Sequence, residues 1–186
     1  MSITNSYVFQ DWNSNQYNVK GRFVMIAFRC ASFVSKYILL KIIFCWYLLI
    51  YKVVIGWLLS VEIDPKAAIG KNFKLEYGFG SVITGTARIG DNCTIRHLTT
   101  ISSKKKEDGS LGPSPIIGNN VDIGVNASII GGVHIGNDVI IGAGAVVTKN
   151  IKSYCVVGGN PTVVLKMIYK FPLDKDLIEG NTLDIF

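Results

Sequence analysis

The chain has 186 residues, is 49% hydrophobic and carries a formal charge of +6, which supplies enough apolar material for one continuous core and excludes a disordered tail protein. Nineteen glycines against five prolines suggest many tight turns joining short apolar segments rather than a helical bundle. The positive charge suits an anionic partner, whether nucleic acid, a membrane surface or a phosphorylated ligand, and no nucleic-acid-binding motif accompanies it.

The first twenty residues (MSITNSYVFQDWNSNQYNVK) are polar and lack a basic start leading into an apolar run, so no secretory signal is expected and the chain reads as cytoplasmic. Residues 1–60 form a basic, apolar, helical region in which Lys20, Arg22, Arg29, Lys36, Lys41 and Lys52 face a single acid, Asp11. Residues 37–59 are strongly apolar, but Lys41 and Lys52 interrupt them, and no uncharged run approaches the roughly 20 residues that a bilayer-crossing helix needs. On a helix these two lysines fall on nearly the same side and leave Ile43, Phe44, Tyr47 and Leu48 to meet something apolar. Two readings follow: peripheral association with the inner face of the cytoplasmic membrane through anionic lipid, or packing against the rest of the protein. Cys30, Cys45, Cys93 and Cys155 show no C-x-x-C spacing and lie among apolar residues, which reads as reduced, buried thiols.

From Val61 the pattern changes to a period of six. Aliphatic residues recur at Ile63, Ile69 and Leu75, then at Ile83, Ile89, Ile95 and Ile101, then at Ile117, Ile123, Ile129, Ile135, Ile141 and Val147. Small or β-branched residues, such as Ala67, Ala87, Cys93, Thr99, Val121 and Ala127, stand two places before an aliphatic, and glycine often follows it. Each hexad supplies one short strand and one turn, and three hexads complete a triangular coil whose stacking buries the aliphatic column. The expected fold is therefore mainly β, a left-handed parallel β-helix of hexapeptide repeats over residues 61–168, followed by a tail at 169–186. Two register breaks interrupt it, a two-residue insertion around Tyr77, Gly78, Phe79 and Gly80, and a polar stretch at 102–115 (SSKKKEDGSLGPSP). A solenoid expels extra residues as surface loops, so the second should project from the coil toward a neighbouring subunit.

The runs VEIDPKAAIGKNFKLEYGFGSVITGTARIGDNCTIRH and IIGNNVDIGVNASIIGGVHIGNDVIIGAGAVVTKNI, with the closing GGNPTVVL, resemble the hexapeptide-repeat acyltransferase superfamily. Within it they look like the serine acetyltransferase branch that includes bacterial polysaccharide O-acetyltransferases of the colanic acid type, and the opening QDWNSNQYNVKGR also looks like the short leader of the polysaccharide group. The resemblance implies a homotrimer, acetyl-CoA as co-substrate in the groove between neighbouring β-helices, no metal, and a histidine that takes the proton of an acceptor hydroxyl as it attacks the thioester.

Two histidines are available. His97 lies two residues past Ile95, beside a turn, as the catalytic histidine of several such enzymes does, whereas His134 directly precedes Ile135 in an outward register. The sequence departs from serine acetyltransferases at Leu75-Glu76-Tyr77, where those enzymes read Leu-Asp-His with the histidine as base, and Glu62 takes the place of the aspartate that orients it. Ser114 and Pro113 stand where the serine-binding histidine and arginine would be. His97 is therefore expected to be the base, with Tyr77 stacked on it one coil below, Glu62 and Glu76 beside it, and Tyr77, Phe79 and Ser114 meeting the acceptor. Backbone amides of Gly142, Ala143, Gly144 and Ala145 are expected to hold acetyl-CoA, with Lys149 and Lys166 on its phosphates and Lys104, Lys105 and Lys106 as weaker candidates.

The leading functional expectation is an acetyl-CoA-dependent O-acetyltransferase with a saccharide acceptor, a sugar hydroxyl of a bacterial surface polysaccharide or its precursor. The alternatives are a serine O-acetyltransferase of cysteine biosynthesis and a non-catalytic hexapeptide-repeat scaffold. A zinc-dependent carbonic anhydrase on the same fold would need three converging histidines, and two of unlike register do not supply them.

Overall fold

The period of six folds as three flat faces wound into one coil. In the computed structural model, which describes residues 7–168, the strands are β1 (Val61–Ile63), β2 (Ala68–Ile69), β3 (Lys74–Leu75), β4 (Ser81–Ile83), β5 (Arg88–Ile89), β6 (Thr94–Ile95), β7 (Thr100–Ser102), β8 (Ile116–Ile117), β9 (Asp122–Ile123), β10 (Ser128–Ile130), β11 (His134–Ile135), β12 (Ile140–Ile141), β13 (Val146–Val147), β14 (Cys155–Gly158) and β15 (Val163–Met167). The tail expected at 169–186 lies outside the described residues. The first face stacks β1-β4-β7-β10-β13, the second β2-β5-β8-β11, and the third β3-β6-β9-β12-β14-β15. All pairs are parallel, as in a β-helix of about five turns, except the last, where β15 runs antiparallel to β14 and covers the end of the third face.

All thirteen aliphatic positions of the period point inward and are buried, from Ile63 through Ile95 to Val147, and so are the small residues two places before them. The glycine after the aliphatic has a steric reason. A Cβ on Gly90 would stand 2.6 Å from the carbonyl oxygen of Gly118 in the next coil, so a side chain there would force the coils apart. Asn72, Asn92, Asn120 and Asp138, each three residues past an aliphatic, hold the corner between the second and third faces with φ between 54 and 57°. Short polar side chains tolerate that left-handed conformation, and their amides form a ladder up the corner, Asn72 Nδ2 donating to Asn92 Oδ1 at 2.9 Å and Asn92 Nδ2 to Asn120 Oδ1 at 3.1 Å.

The open lower end of the solenoid exposes strand edges on all three faces, and the N-terminal region satisfies them. Helices α1 (Val19–Lys36), α2 (Ile38–Ile43) and α3 (Cys45–Tyr51) lead into a π-helical segment, Lys52–Leu58. Tyr51 donates its hydroxyl to the Ile63 carbonyl on β1 at 2.7 Å, and Arg29 donates to the carbonyls of Ile69 and Gly70 at 2.6 Å each. Asp11 accepts from the Phe73 amide at 2.9 Å, Asn15 accepts from the Leu75 amide and donates to the Phe73 carbonyl, and Asn18 donates to the Leu75 carbonyl. These side chains replace the coil that would lie beneath β1, β2 and β3, as buried backbone groups require. Arg29 and Asp11 are themselves paired at 2.8 Å and almost wholly buried, a costly arrangement offset by the further hydrogen bonds that both make to the open strand edges.

The helical region departs from expectation in two ways. Residues 37–59 form three short pieces rather than one helix, with breaks at Tyr37 and Phe44 and a π-helical end. Tyr47 and Leu48 pack against the core, but Ile43 and Phe44 point away and are exposed. Burial of all four thiols does not hold either: Cys93 and Cys155 are buried, Cys30 is half-buried and Cys45 is exposed, and all are unpaired. Cys45 faces outward because it opens α3 on the side turned from the β-helix. The polar stretch at 102–115 leaves the corner between the first and second faces as a small hairpin closed by the pairing of Lys105 with Leu111, and it lies along the next coil, where Lys104 and Pro113 neighbour Gly131 and Gly132.

Candidate active site

One corner of the prism, between the third and first faces, collects most of the singled-out residues. It is formed in successive coils by residues 76–80, 96–99, 124–127 and 142–145, which follow β3, β6, β9 and β12. Backbone hydrogen bonds run up it: Leu98 donates to the Phe79 carbonyl at 2.8 Å, Asn126 to His97 at 3.0 Å, and Gly144 to Val125 at 2.8 Å. His97 thus stands above Phe79 and below Val125 and Ala143. Since coils repeat every ~4.8 Å, the histidine and the Gly142-Ala143-Gly144 turn lie two coils, or about 10 Å, apart along a single edge.

His97 is half-buried and meets Tyr77 edge-on, with ring centroids 6.0 Å apart and planes at 86°. Its Nδ1 is buried with no hydrogen-bond partner, a condition rare enough in folded proteins to need an explanation. Tyr77 is 73% and Phe79 56% exposed. Tyr77 does not take the place in the column of His97 that its spacing predicts, and the hydrogen-bonded ladder gives that place to Phe79. Tyr77 belongs to the two-residue insertion and holds φ at 62°, followed by Gly78 at 58° and Gly80 at 67°. An aromatic residue held in the left-handed region is strained, and such strain concentrates where a side chain must be aimed.

Neither glutamate joins His97 by a hydrogen bond. Glu76 is held by Lys74 and by Arg96 Nε at 3.0 Å. The hydrogen bond from Lys74 holds its carboxyl below the usual range, burial opposes this, and the charges of Lys74 and Arg96 add to the lowering. Arg96 also pairs with Asp122 one coil above, so a ladder of ions, unremarked in the sequence, runs up the third face beside the histidine. Glu62 is exposed on the first face, in a groove with Leu48, Tyr51 and Lys52, because side chains alternate along β1 and its neighbours Val61 and Ile63 take the inward places.

Ser114 is not at this corner. It is buried at the corner between the first and second faces, where its hydroxyl shares a hydrogen bond with Thr86. Lys149 is exposed near that same corner two coils higher, and Lys166 lies on β15 opposite Val156, so neither belongs to the corner that carries the Gly142-to-Ala145 turn. That turn is open: Gly144 has φ of 67° and free space where a side chain would stand. Lys104, Lys105 and Lys106 are exposed on the hairpin, and His134 is exposed on β11. Burial pushes the Cys93 thiol up to about 11, leaving it an inert core residue.

A repeated coil with an open corner, a histidine and a glycine turn defines a class. The family described as Bacterial transferase hexapeptide (six repeats) matches residues 114–149, and the chain belongs to the hexapeptide-repeat transferase superfamily. Its homologues there include serine acetyltransferases. The enzyme of that name from Synechococcus elongatus is 39% identical over 126 residues, 68% of this chain and 50% of the relative. That from Staphylococcus aureus is 41% identical over 107 residues, 58% of this chain and 49% of the relative. The chain thus spans about half the length of the curated relatives it matches. Among solved structures, the soybean serine acetyltransferase apoenzyme is 27% identical with a TM-score of 0.74, covering 86% of this chain and 67% of that one. The Brucella abortus serine acetyltransferase in complex with coenzyme A is 25% identical with a TM-score of 0.74, covering 88% and 68%. These relatives carry the name of the alternative expected from sequence, serine acetyltransferase, rather than that of a polysaccharide enzyme.

Proposed function

We propose that the chain is an acetyl-CoA-dependent O-acetyltransferase, working as a homotrimer, with His97 as general base. The observation that carries this is the shared corner: a half-buried histidine on the same open edge as the Gly142-Ala143-Gly144 turn. A coenzyme A complex of a structural relative supports the choice of donor. In this reading the late turn holds the pantetheine arm through backbone amides, and the thioester lies lower on the edge beside His97. With Nδ1 buried, Nε2 is the nitrogen open to the edge, and it takes the hydroxyl proton as the acceptor oxygen attacks the thioester carbonyl carbon. Collapse of the tetrahedral intermediate breaks the carbon–sulfur bond, and the leaving thiolate recovers the proton from the imidazolium.

The names of the relatives support L-serine as acceptor. A second reading, a sugar hydroxyl, is favoured by Tyr77 and Phe79, two exposed aromatic rings beside His97 that offer apolar faces to a pyranose, and by a tyrosine where the resembled serine enzymes carry their histidine. Purified protein with labelled acetyl-CoA, offered serine and a panel of bacterial glycans and read by mass spectrometry, separates the two. Acetylserine alone establishes the first and acetylated glycan alone the second. Coenzyme A binding without transfer to any hydroxyl contradicts both.

A further inference from the structure

We propose that the outer face of residues 38–58 docks on an anionic lipid bilayer, an inference independent of the acyl-transfer reading. This segment is apolar on both sides. Tyr47, Leu48, Tyr51 and Ile55 turn inward, Ile55 being 1% exposed and Tyr47 donating its hydroxyl to the Ala27 carbonyl at 3.0 Å. On the opposite side Ile38, Ile42, Trp46, Leu49, Val53 and Trp57, spaced three or four residues apart, are 45–80% exposed. A helix apolar all round calls for cover on both faces, and among the described residues the β-helix covers only one.

The charges choose the occupant. No acidic residue occurs between Asp11 and Glu62, whereas Lys36 lies just before the segment and Lys41 and Lys52 within it. The adjacent carboxylates, Glu62 on β1 and Asp64 just past it, line a groove with Leu48, Tyr51 and Lys52. A second copy presenting the same face would set lysine against lysine, with no carboxylate of the segment to answer it. A layer of anionic headgroups supplies that counter-charge, and the apolar side chains enter the acyl boundary beneath it. Trp46 and Trp57 are the residue type that settles at this depth. Because no helix of the described residues is long and apolar enough to cross a membrane, the segment lies in the plane of the interface.

The test is sedimentation of the full chain with phosphatidylcholine vesicles, with and without phosphatidylglycerol. The anionic vesicles should bind at least about tenfold more tightly, with weakening in salt and a blue shift of tryptophan emission. Ile42→Glu with Leu49→Glu should reduce binding about tenfold or more. Lys36→Glu with Lys52→Glu, at exposed positions that leave the fold intact, should remove the preference for phosphatidylglycerol. Failure to bind either vesicle overturns the proposal, as does an Ile42→Glu, Leu49→Glu protein that binds vesicles unchanged while its oligomeric mass falls, which would make the face a contact between copies.

Discussion

His97 owes its position to its neighbours. Ile95 is locked in the core, Leu98 takes the left-handed turn at φ 60°, and the amides of Leu98 and Asn126 tie the corner to the coils on either side. The ring therefore has little freedom except toward the edge. Its place was legible in the sequence because it is counted from an aliphatic that must point inward. The exposed place of Tyr77 was harder to read, since an insertion ends the count and only the backbone shows that Phe79, not Tyr77, continues the column. Tyr77 touches His97 by its ring, so the ring rather than the hydroxyl should matter. Tyr77→Phe is expected to leave kcat and KM of acetyl transfer within a factor of about two. Tyr77→Ala should raise the acceptor KM by up to about tenfold, the ~0.5–1.5 kcal/mol of an aromatic contact, with kcat little changed. Steady-state kinetics decide this, and loss of transfer in Tyr77→Phe would move the proton-transfer role from His97 to the phenol.

At the scale of elements, the strands were readable and their cap was not. A strand in this fold announces itself by an aliphatic every six residues, and the left-handed corners by Asn or Asp three residues later, as at Asn92 after Ile89. The contacts that close the lower end join residues about sixty apart, such as Asn15 with Leu75, and no periodicity carries that information. Within the polar leader, Asp11, Asn15 and Asn18 act physically as a substitute strand for β3. Removing Arg29 would leave the Asp11 carboxylate buried and the carbonyls of Ile69 and Gly70 unsatisfied. Arg29→Met is therefore expected to cost about 3–5 kcal/mol, measured by urea unfolding, and Arg29→Met with Asp11→Asn should recover part of that loss. If Arg29→Met were neutral, the N-terminal region would not be capping the solenoid.

For the whole molecule, the coil is a ruler. It holds His97 at the second coil and the Gly142-Ala143-Gly144 turn at the fourth on one straight corner, at a separation set by coil spacing, while Ser114 and Lys149 lie around another corner. That division explains why the fold and the place of His97 could be counted from sequence, while what meets an acceptor or a phosphate could not. Those depend on which side chains face one another across coils and, in the proposed homotrimer, across subunits. What decides the proposed function is whether His97 performs chemistry rather than binding. The most direct measurement is the rate of coenzyme A release from acetyl-CoA in His97→Ala, beside its calorimetric affinity for acetyl-CoA. The expected result is a fall in kcat of about 10²–10⁴ with affinity within about twofold. A variant that transfers acetyl groups at the rate of the unaltered protein would contradict it.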